Sequence, residues 1–271
     1  MKTRILAALV FVPALAVVVF FLPSVVLGIV MGALCAIGVF EFLNCTKPGI
    51  PKRIPLIAGI ISAIIPLGTA LGHGDILSDA AFFLLLIYLY GELMLSFRDE
   101  VTLGWDMVAA GMMAGFVFPW CLTSIVRLDA MGDAYVALVF LVAFASDTCA
   151  YFAGVFLGKH KLVPRLSPKK TIEGSIGGFL GTVAVMLIYG FVLKKLGFEV
   201  QFSILAIYGF LGSLACQFGD LSFSAVKRIG GVKDYGNLIP GHGGVYDRFD
   251  GMAFVAILME LLLRWVPAII G

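Results

Sequence analysis

The sequence predicts an all-α, polytopic integral membrane protein of about nine transmembrane helices with its N-terminus in the cytoplasm, and three observations predict it. Hydrophobic residues make up 61% of the chain, above the roughly 45–50% of a soluble domain, and charged residues only 13% against about 25%. Apolar runs of about 20 residues, long enough to cross a bilayer as helices, recur from one end to the other. Threading those runs through a membrane then collects most lysines and arginines on one side. No polar stretch exceeds about 25 residues, too little for a separate soluble core.

In order, the runs lie near 5 to 21, 24 to 44, 54 to 72, 77 to 96, 105 to 126, 134 to 157, 173 to 193, 203 to 225 and 249 to 270. Pro23 separates the first two. The opening residues have the charged start of a signal peptide, but the apolar character continues to Phe40 without a cleavage site, so both runs are expected to remain as spans, or as one long span or re-entrant hairpin. Nine spans put fifteen basic residues on the N-terminal side and four, Arg127, Lys194, Lys195 and Arg264, on the other. The loops 158–172 and 226–248 are therefore expected in the cytoplasm. Residues 1–133 read as N-terminal and middle helices with a scaffold or dimerisation role, and 134–271 as the catalytic region. The net charge of +2 hides this asymmetry, and no nucleic acid is expected as a partner. Cys35, Cys45, Cys121, Cys149 and Cys216 are odd in number and lack CxxC spacing, which suits small buried hydrophobes and not disulfides.

The chemistry concentrates in Ser224–Asp250, SAVKRIGGVKDYGNLIPGHGGVYDRFD, where four cations, three aspartates, one histidine and six glycines share 27 residues. Lys227, Arg228, Lys233 and Arg248 can bind phosphate, Asp234, Asp247 and Asp250 offer hard oxygens, and GHGG offers bare backbone amides. Just upstream, Ser213, Gln217, Asp220, Ser224 and Lys227 fall on one helical stripe, so Asp220 should face a partner or a wet cavity. In the sixth run, Asp147, Tyr151, Gly154 and Gly158 share a face that suits either helix packing or a site. The loop GKHKLVPRLSPKKTIEG carries Lys159, Lys161, Arg165, Lys169 and Lys170, either as a topological and lipid-facing charge run or to deliver one lysine to a phosphate. Gly174, Gly177, Gly178 and Gly181 form interleaved GxxxG pairs, most simply a packing face. Asp79, Asp106, Asp129 and Asp133 sit at span ends, Glu92 and Glu260 could pair between helices, and His73 and His160 have no ligand-like neighbours in the sequence. His242 could donate to a phosphate oxygen.

DRFDGMAFV approaches the start of the CDP-alcohol phosphotransferase motif, but Phe254 and Val255 replace its Ala-Arg pair and no GxxxDxxxD follows. The phosphate loop GxxxxGK[ST] and the Rossmann GxGxxG are absent as well. By contrast SAVKR, KD and PGHGGVYDRFD together resemble the signature of the phosphatidate cytidylyltransferases, and SDTCAYFAG, GKHKL, LSPKKTIEG and QFGDLSFS are similar to that family's upstream blocks. The resemblance covers about residues 134 to 260, with Cys149 standing where a small residue such as alanine is common.

What the resemblance implies is transfer of the cytidylyl group of CTP to phosphatidic acid, giving CDP-diacylglycerol and pyrophosphate, with Mg²⁺ as cofactor and a second ion left open. It also implies a homodimer, placed in a bacterial inner membrane with the site at the cytoplasmic face. Asp220 and Asp247 are then metal ligands, with Asp147 the next candidate. Asp147, Lys170, Ser224, Lys227 and Asp234 take catalytic or orienting roles. Arg228, Lys233, His242, Gly243, Gly244 and Arg248 bind substrate. Two other classes stay open: a CTP-dependent polyprenol or dolichol kinase, which would release CDP in place of pyrophosphate, and a transporter, whose charges should lie at the midplane between repeated halves.

Overall fold

The computed structural model describes residues 13–98, 102–236 and 243–270, and among them helices dominate. The chain divides into two compact units, one of Met1–Ala130 with Val226–Phe249, the other of Met131–Ala225 with Asp250–Gly271.

In the first unit residues 13–21 are helical, followed by α1 (Ser24–Thr46), α2 (Arg53–Ala70) and α3 (Gly74–Ser96). A fourth long run is assembled from α4 (Trp105–Met112), a π-helical turn (Met113–Val117), α5 (Phe118–Leu122) and α6 (Ser124–Asp129). Small residues set the α1–α2 spacing: a Cβ on Gly32 would lie 3.0 Å from the Ala63 carbonyl, and one on Gly59 2.8 Å from that of Ala36. Backbones this close gain dispersion contacts that bulkier residues would forbid. Between α2 and α3, Arg53 binds Glu92 with both prongs, Nε to Oε1 and Nη2 to Oε2 each at 2.9 Å, so the intramembrane Glu92 does pair between helices.

The π turn follows from Pro119, which has no N–H and whose ring would crowd the carbonyl four residues back. The Phe118 N–H reaches instead to Met113, five residues back, so neither Phe118 nor Pro119 serves the Ala114 carbonyl. The Tyr246 hydroxyl donates to that carbonyl at 2.5 Å. A buried C=O left orphaned by the helix is thereby satisfied.

The second unit contains α7 (Asp133–Leu157), the hairpin β1 (Lys161–Val163) and β2 (Ser167–Thr171), and α8 (Ile172–Lys195). Within the stretch expected as a polar loop at 158–172 the chain forms this hairpin, with Lys161 opposite Thr171, Val163 opposite Ser167 and an irregularity between. Glu173 closes its base by accepting the Lys159 and His160 N–H groups and sitting 2.6 Å from His160 Nδ1, so His160 does have an acidic neighbour. The Thr171 hydroxyl accepts the Gly174 N–H at 3.1 Å and caps α8. The glycine face of α8 packs on α7: a Cβ on Gly174 would meet the Ala150 carbonyl at 2.8 Å and one on Gly178 the Ser146 carbonyl at 3.2 Å. Helix α9 (Phe202–Ile229) follows β3 (Glu199–Val200), and α10 (Tyr246–Trp265) precedes β4 (Ile269–Ile270), which pairs antiparallel with β3.

Seven of these runs are long and apolar enough to cross a membrane, α1, α2, α3, the composite Trp105–Asp129, α7, α8 and α9. Helix α10 has 20 residues but carries Asp247, Arg248, Asp250, Glu260 and Arg264. The run near 5 to 21 is described only from residue 13. Large apolar side chains such as Phe83, Leu180 and Phe156 stand exposed along these helices, as expected of surfaces that face lipid. All five cysteines are free thiols, and Cys35 and Cys216 are buried.

Candidate active site

In the second unit the polar stripe of α9 faces polar groups of its own unit. Ser213 Oγ lies 2.8 Å from Ser146 Oγ, and Gln217 Nε2 donates to Ser213 Oγ and the Ser175 carbonyl, each at 3.2 Å. The Ser175 hydroxyl donates to Gln217 Oε1. A glutamine buried in an apolar helix is thus satisfied on both faces of its amide, which fixes the rotation of α9. One turn on, Asp220 forms an ion pair with Lys170 of β2 and accepts from Ser224 Oγ at 3.3 Å. The two side chains of the pair are 28% and 32% exposed, so the carboxylate remains reachable. The hairpin turns Lys170 onto Asp220 while Lys159, Lys161, Arg165 and Lys169 remain exposed, and this separates Lys170 from the rest of the charge run. Asp147 is exposed on α7, with the Cys216 thiol 3.8 Å from its Oδ1.

In the first unit the site is built where α9 ends and α10 begins. Gly231, at φ +70°, terminates α9, and the Val232 N–H returns to the Lys227 carbonyl at 2.9 Å while the Gly231 N–H returns to Arg228 at 3.2 Å. This pair of bonds is the Schellman stop, and the glycine supplies the left-handed conformation it requires. It leaves Lys227 on the last turn, its ammonium 2.8 Å from Asp247 Oδ1 and 5.4 Å from the centre of the Tyr235 ring. Asp247, in the first turn of α10, also accepts on Oδ2 from the N–H of Tyr235 at 2.7 Å and of Gly244 at 2.9 Å. Gly243 stands at φ +91°, and a Cβ there would lie 2.9 Å from the same oxygen. The carboxylate is 1% exposed and the Lys227 side chain 10%, a buried pair with three donors on the acid.

Two expectations change with this geometry. Lys227 is directed at a carboxylate and not at solvent, and the Gly244 amide is given to Asp247 and not to an incoming anion. Arg228, Lys233, Asp234 and Arg248 are exposed. Arg228 Nη1 donates to the Val232 carbonyl at 3.3 Å, and the Asp234 carbonyl accepts from Cys45 Sγ at 3.7 Å. His242 lies outside the described residues. The residue that sequence reasoning missed is Glu41 of α1, whose Oε2 accepts the Val245 N–H at 2.8 Å. Its signal was a single acid inside the second apolar run, which by cost alone marks function.

Among the described residues no three His, Cys, Asp or Glu side chains gather into a group that could hold an ion alone. Asp220 with the Ser224 hydroxyl nonetheless offers the hard oxygens that Mg²⁺ takes, an ion bound through one or two carboxylates plus substrate phosphates and water. The donor chemistry therefore fits.

A family model described as the cytidylyltransferase family matches residues 2–266. The phosphatidate cytidylyltransferase of Staphylococcus haemolyticus (strain JCSC1435) is 34% identical over 271 residues, 96% of each chain. That of Bacillus subtilis (strain 168) is 33% identical over 267 residues, 96% of this chain and 95% of its own. The Staphylococcus saprophyticus protein of the same name is 31% identical over 268 residues, again 96% of each. On the model match along nearly its whole length and these identities, the chain belongs to the cytidylyltransferase family.

Proposed function

We propose that this chain is a phosphatidate cytidylyltransferase, taking CTP and phosphatidic acid to CDP-diacylglycerol and pyrophosphate. The observation that carries the reading is the buried Asp247, around which the Lys227 ammonium and the amides of Tyr235 and Gly244 are folded, in a membrane protein whose relatives bear that name. A phosphate oxygen of the lipid attacks the α-phosphorus of CTP in line, and the bond to the bridging oxygen breaks as pyrophosphate leaves with its electron pair. Both reactants are anions, so the protein must screen charge before they can meet.

Lys170, held beside Asp220, is the lysine placed to move onto a phosphate as the reactants enter. The exposed Arg228, Lys233 and Arg248 supply further charge for the polyphosphate, and Gly243 lets the chain pass close to it. Ser224 orients Asp220, while Lys227 neutralises Asp247 and so sets the start of α10 from which Arg248 projects. Asp234 and His242 belong to the same segment and are proposed as orienting groups. Asp220 is the carboxylate that would hold Mg²⁺, with Asp147 next, and Asp247 would take an ion only by exchanging its Lys227 partner for it. Bound there, the ion would supply positive charge to the transferring and departing phosphates.

A cytoplasmic N-terminus rests on the fifteen-to-four distribution of basic residues, and a homodimer in a bacterial inner membrane rests on the resemblance. The test is the purified protein in nanodiscs with CTP and phosphatidic acid. CDP-diacylglycerol and pyrophosphate should form in step, cease on chelation and resume with Mg²⁺. Release of CDP with a phosphorylated lipid product would replace the reading with that of a CTP-dependent lipid kinase.

A further inference from the structure

We infer that Glu41 is a positioning residue for the two ends of the segment 234–247, residues 234–236 and 243–247, which makes α1 part of the substrate-binding machinery as well as scaffold. Gly38, Glu41, Phe42 and Cys45 recur at helical spacing and so share one face of α1. Each meets a different part of the segment within the same unit. Phe42 stacks on Tyr235 at a centroid distance of 5.1 Å, Cys45 Sγ lies 3.7 Å from the Asp234 carbonyl, and the Tyr246 ring occupies the space a side chain on Gly38 would need. Glu41 accepts the Val245 N–H at 2.8 Å. A Cβ on Gly244 would stand 2.8 Å from Glu41 Cδ, and one on Gly236 would collide with the same carboxylate. Both glycines are therefore required by Glu41 as much as by the turns they occupy.

The consequence runs through Asp247. Two of its three donors are the amides of Tyr235 and Gly244, which flank the positions Glu41 touches. With Val245 held by α1, Gly244 can point its N–H at Asp247, and Arg248 leaves the first turn of α10 in a fixed direction. An acid placed in an apolar helix is costly, and this contact gives it a use. What Glu41 must provide is an acceptor oxygen at that distance, and glutamine provides one too.

The experiment compares wild type, Glu41→Ala and Glu41→Gln in nanodiscs, by kinetics and by amide hydrogen exchange read on peptides covering 231–247 and 159–171. Its activity arm rests on the proposed function, and its exchange arm does not. Glu41→Ala should lower kcat/KM for CTP ten-fold or more and speed exchange in 231–247 at least five-fold, with 159–171 unchanged. Glu41→Gln should stay within three-fold of wild type in both. Near-normal activity and exchange in Glu41→Ala would overturn the inference. So would equal damage from Glu41→Gln, or a rise in exchange of the same size in both peptides, which signals general loss of stability. If wild type makes no CDP-diacylglycerol, the functional reading fails while the exchange comparison still decides the role of Glu41.

Discussion

Asp220 and Asp247 are both aspartates paired with a lysine, and replacing each with asparagine should affect stability to very different extents. Asp247 is 1% exposed and receives three donors, Lys227 Nζ at 2.8 Å, Tyr235 N–H at 2.7 Å and Gly244 N–H at 2.9 Å. Asparagine must turn its NH₂ toward either the ammonium or the two amides, so donor faces donor and the Lys227 charge is left buried without its counter-ion. Breaking such a pair costs about 3–5 kcal/mol. At roughly 2–4 °C per kcal/mol for a chain above 150 residues, the unfolding midpoint should fall by about 6–20 °C. Asp220 and Lys170 are about one-third exposed, and a screened pair of that kind contributes at most about 1 kcal/mol. Asp220→Asn should therefore melt within a few degrees of wild type yet lose turnover by about a hundred-fold or more, because under the proposed function the change removes charge beside the reacting phosphates. Scanning fluorimetry in detergent without nucleotide or metal measures the first effect, and pyrophosphate release measures the second. The double variant Lys227→Met with Asp247→Leu supplies the control, since replacing both partners with apolar groups restores much of the lost stability. A wild-type melting curve for Asp247→Asn, or a double variant no more stable than the single, would refute the reasoning.

Lys170→Gln should reduce turnover far more than Lys161→Gln at equal expression if, as proposed, the lysine turned onto Asp220 serves a phosphate; equal and mild effects, read as initial rates, would return both to the lipid-surface role. Single cysteines at 162 and 236 in a cysteine-free background should react with a membrane-impermeant thiol reagent only after the cytoplasmic face is opened, and labelling in sealed cells would reverse the orientation. Tyr246→Phe removes the hydroxyl that donates to the Ala114 carbonyl and should cost about 1–3 kcal/mol, read as a lower unfolding midpoint than that of wild type.

The helices were legible because burial in lipid imposes one requirement over about 20 residues, and hydrophobicity reports it directly. The runs near 24 to 44 and 134 to 157 became Ser24–Thr46 and Asp133–Leu157, with ends displaced by at most two residues; Pro23 and Gly132 precede the two helices and Gly158 follows the second. The stripe of α9 was equally legible, since Ser213, Gln217, Asp220 and Ser224 needed only the helical period to fall on one face. The hairpin at 161–171 was not. Its strands are three and five residues long, too short for alternation to emerge, and Pro164 and Pro168 signal a loop.

Partners were the part hidden from the sequence, for a physical reason. A charge pattern records that a carboxylate or an ammonium is present, whereas its chemistry depends on what stands within 3 Å, and that is set by how helices far apart in the chain pack. Lys227 had the composition of a phosphate ligand until the stop at Gly231 aimed it at Asp247. Glu41 and Val245 are separated by 204 positions, and no local period links them. The same holds for the π turn: Pro119 announces a disturbed helix, but only the fold shows that the freed carbonyl is taken by Tyr246, the first residue of α10. The shared logic of these three cases is steric. Glycine at 231, 236 and 244 removes side chains where a backbone must turn or a carboxylate must enter, and proline at 119 removes a hydrogen where a tyrosine must donate. Residues that act by lacking an atom leave room for a partner without naming it, so the island of glycines between Ser224 and Asp250 pointed to the site, and Glu41 and Ala114 became visible only when α1 and the π turn were found against it.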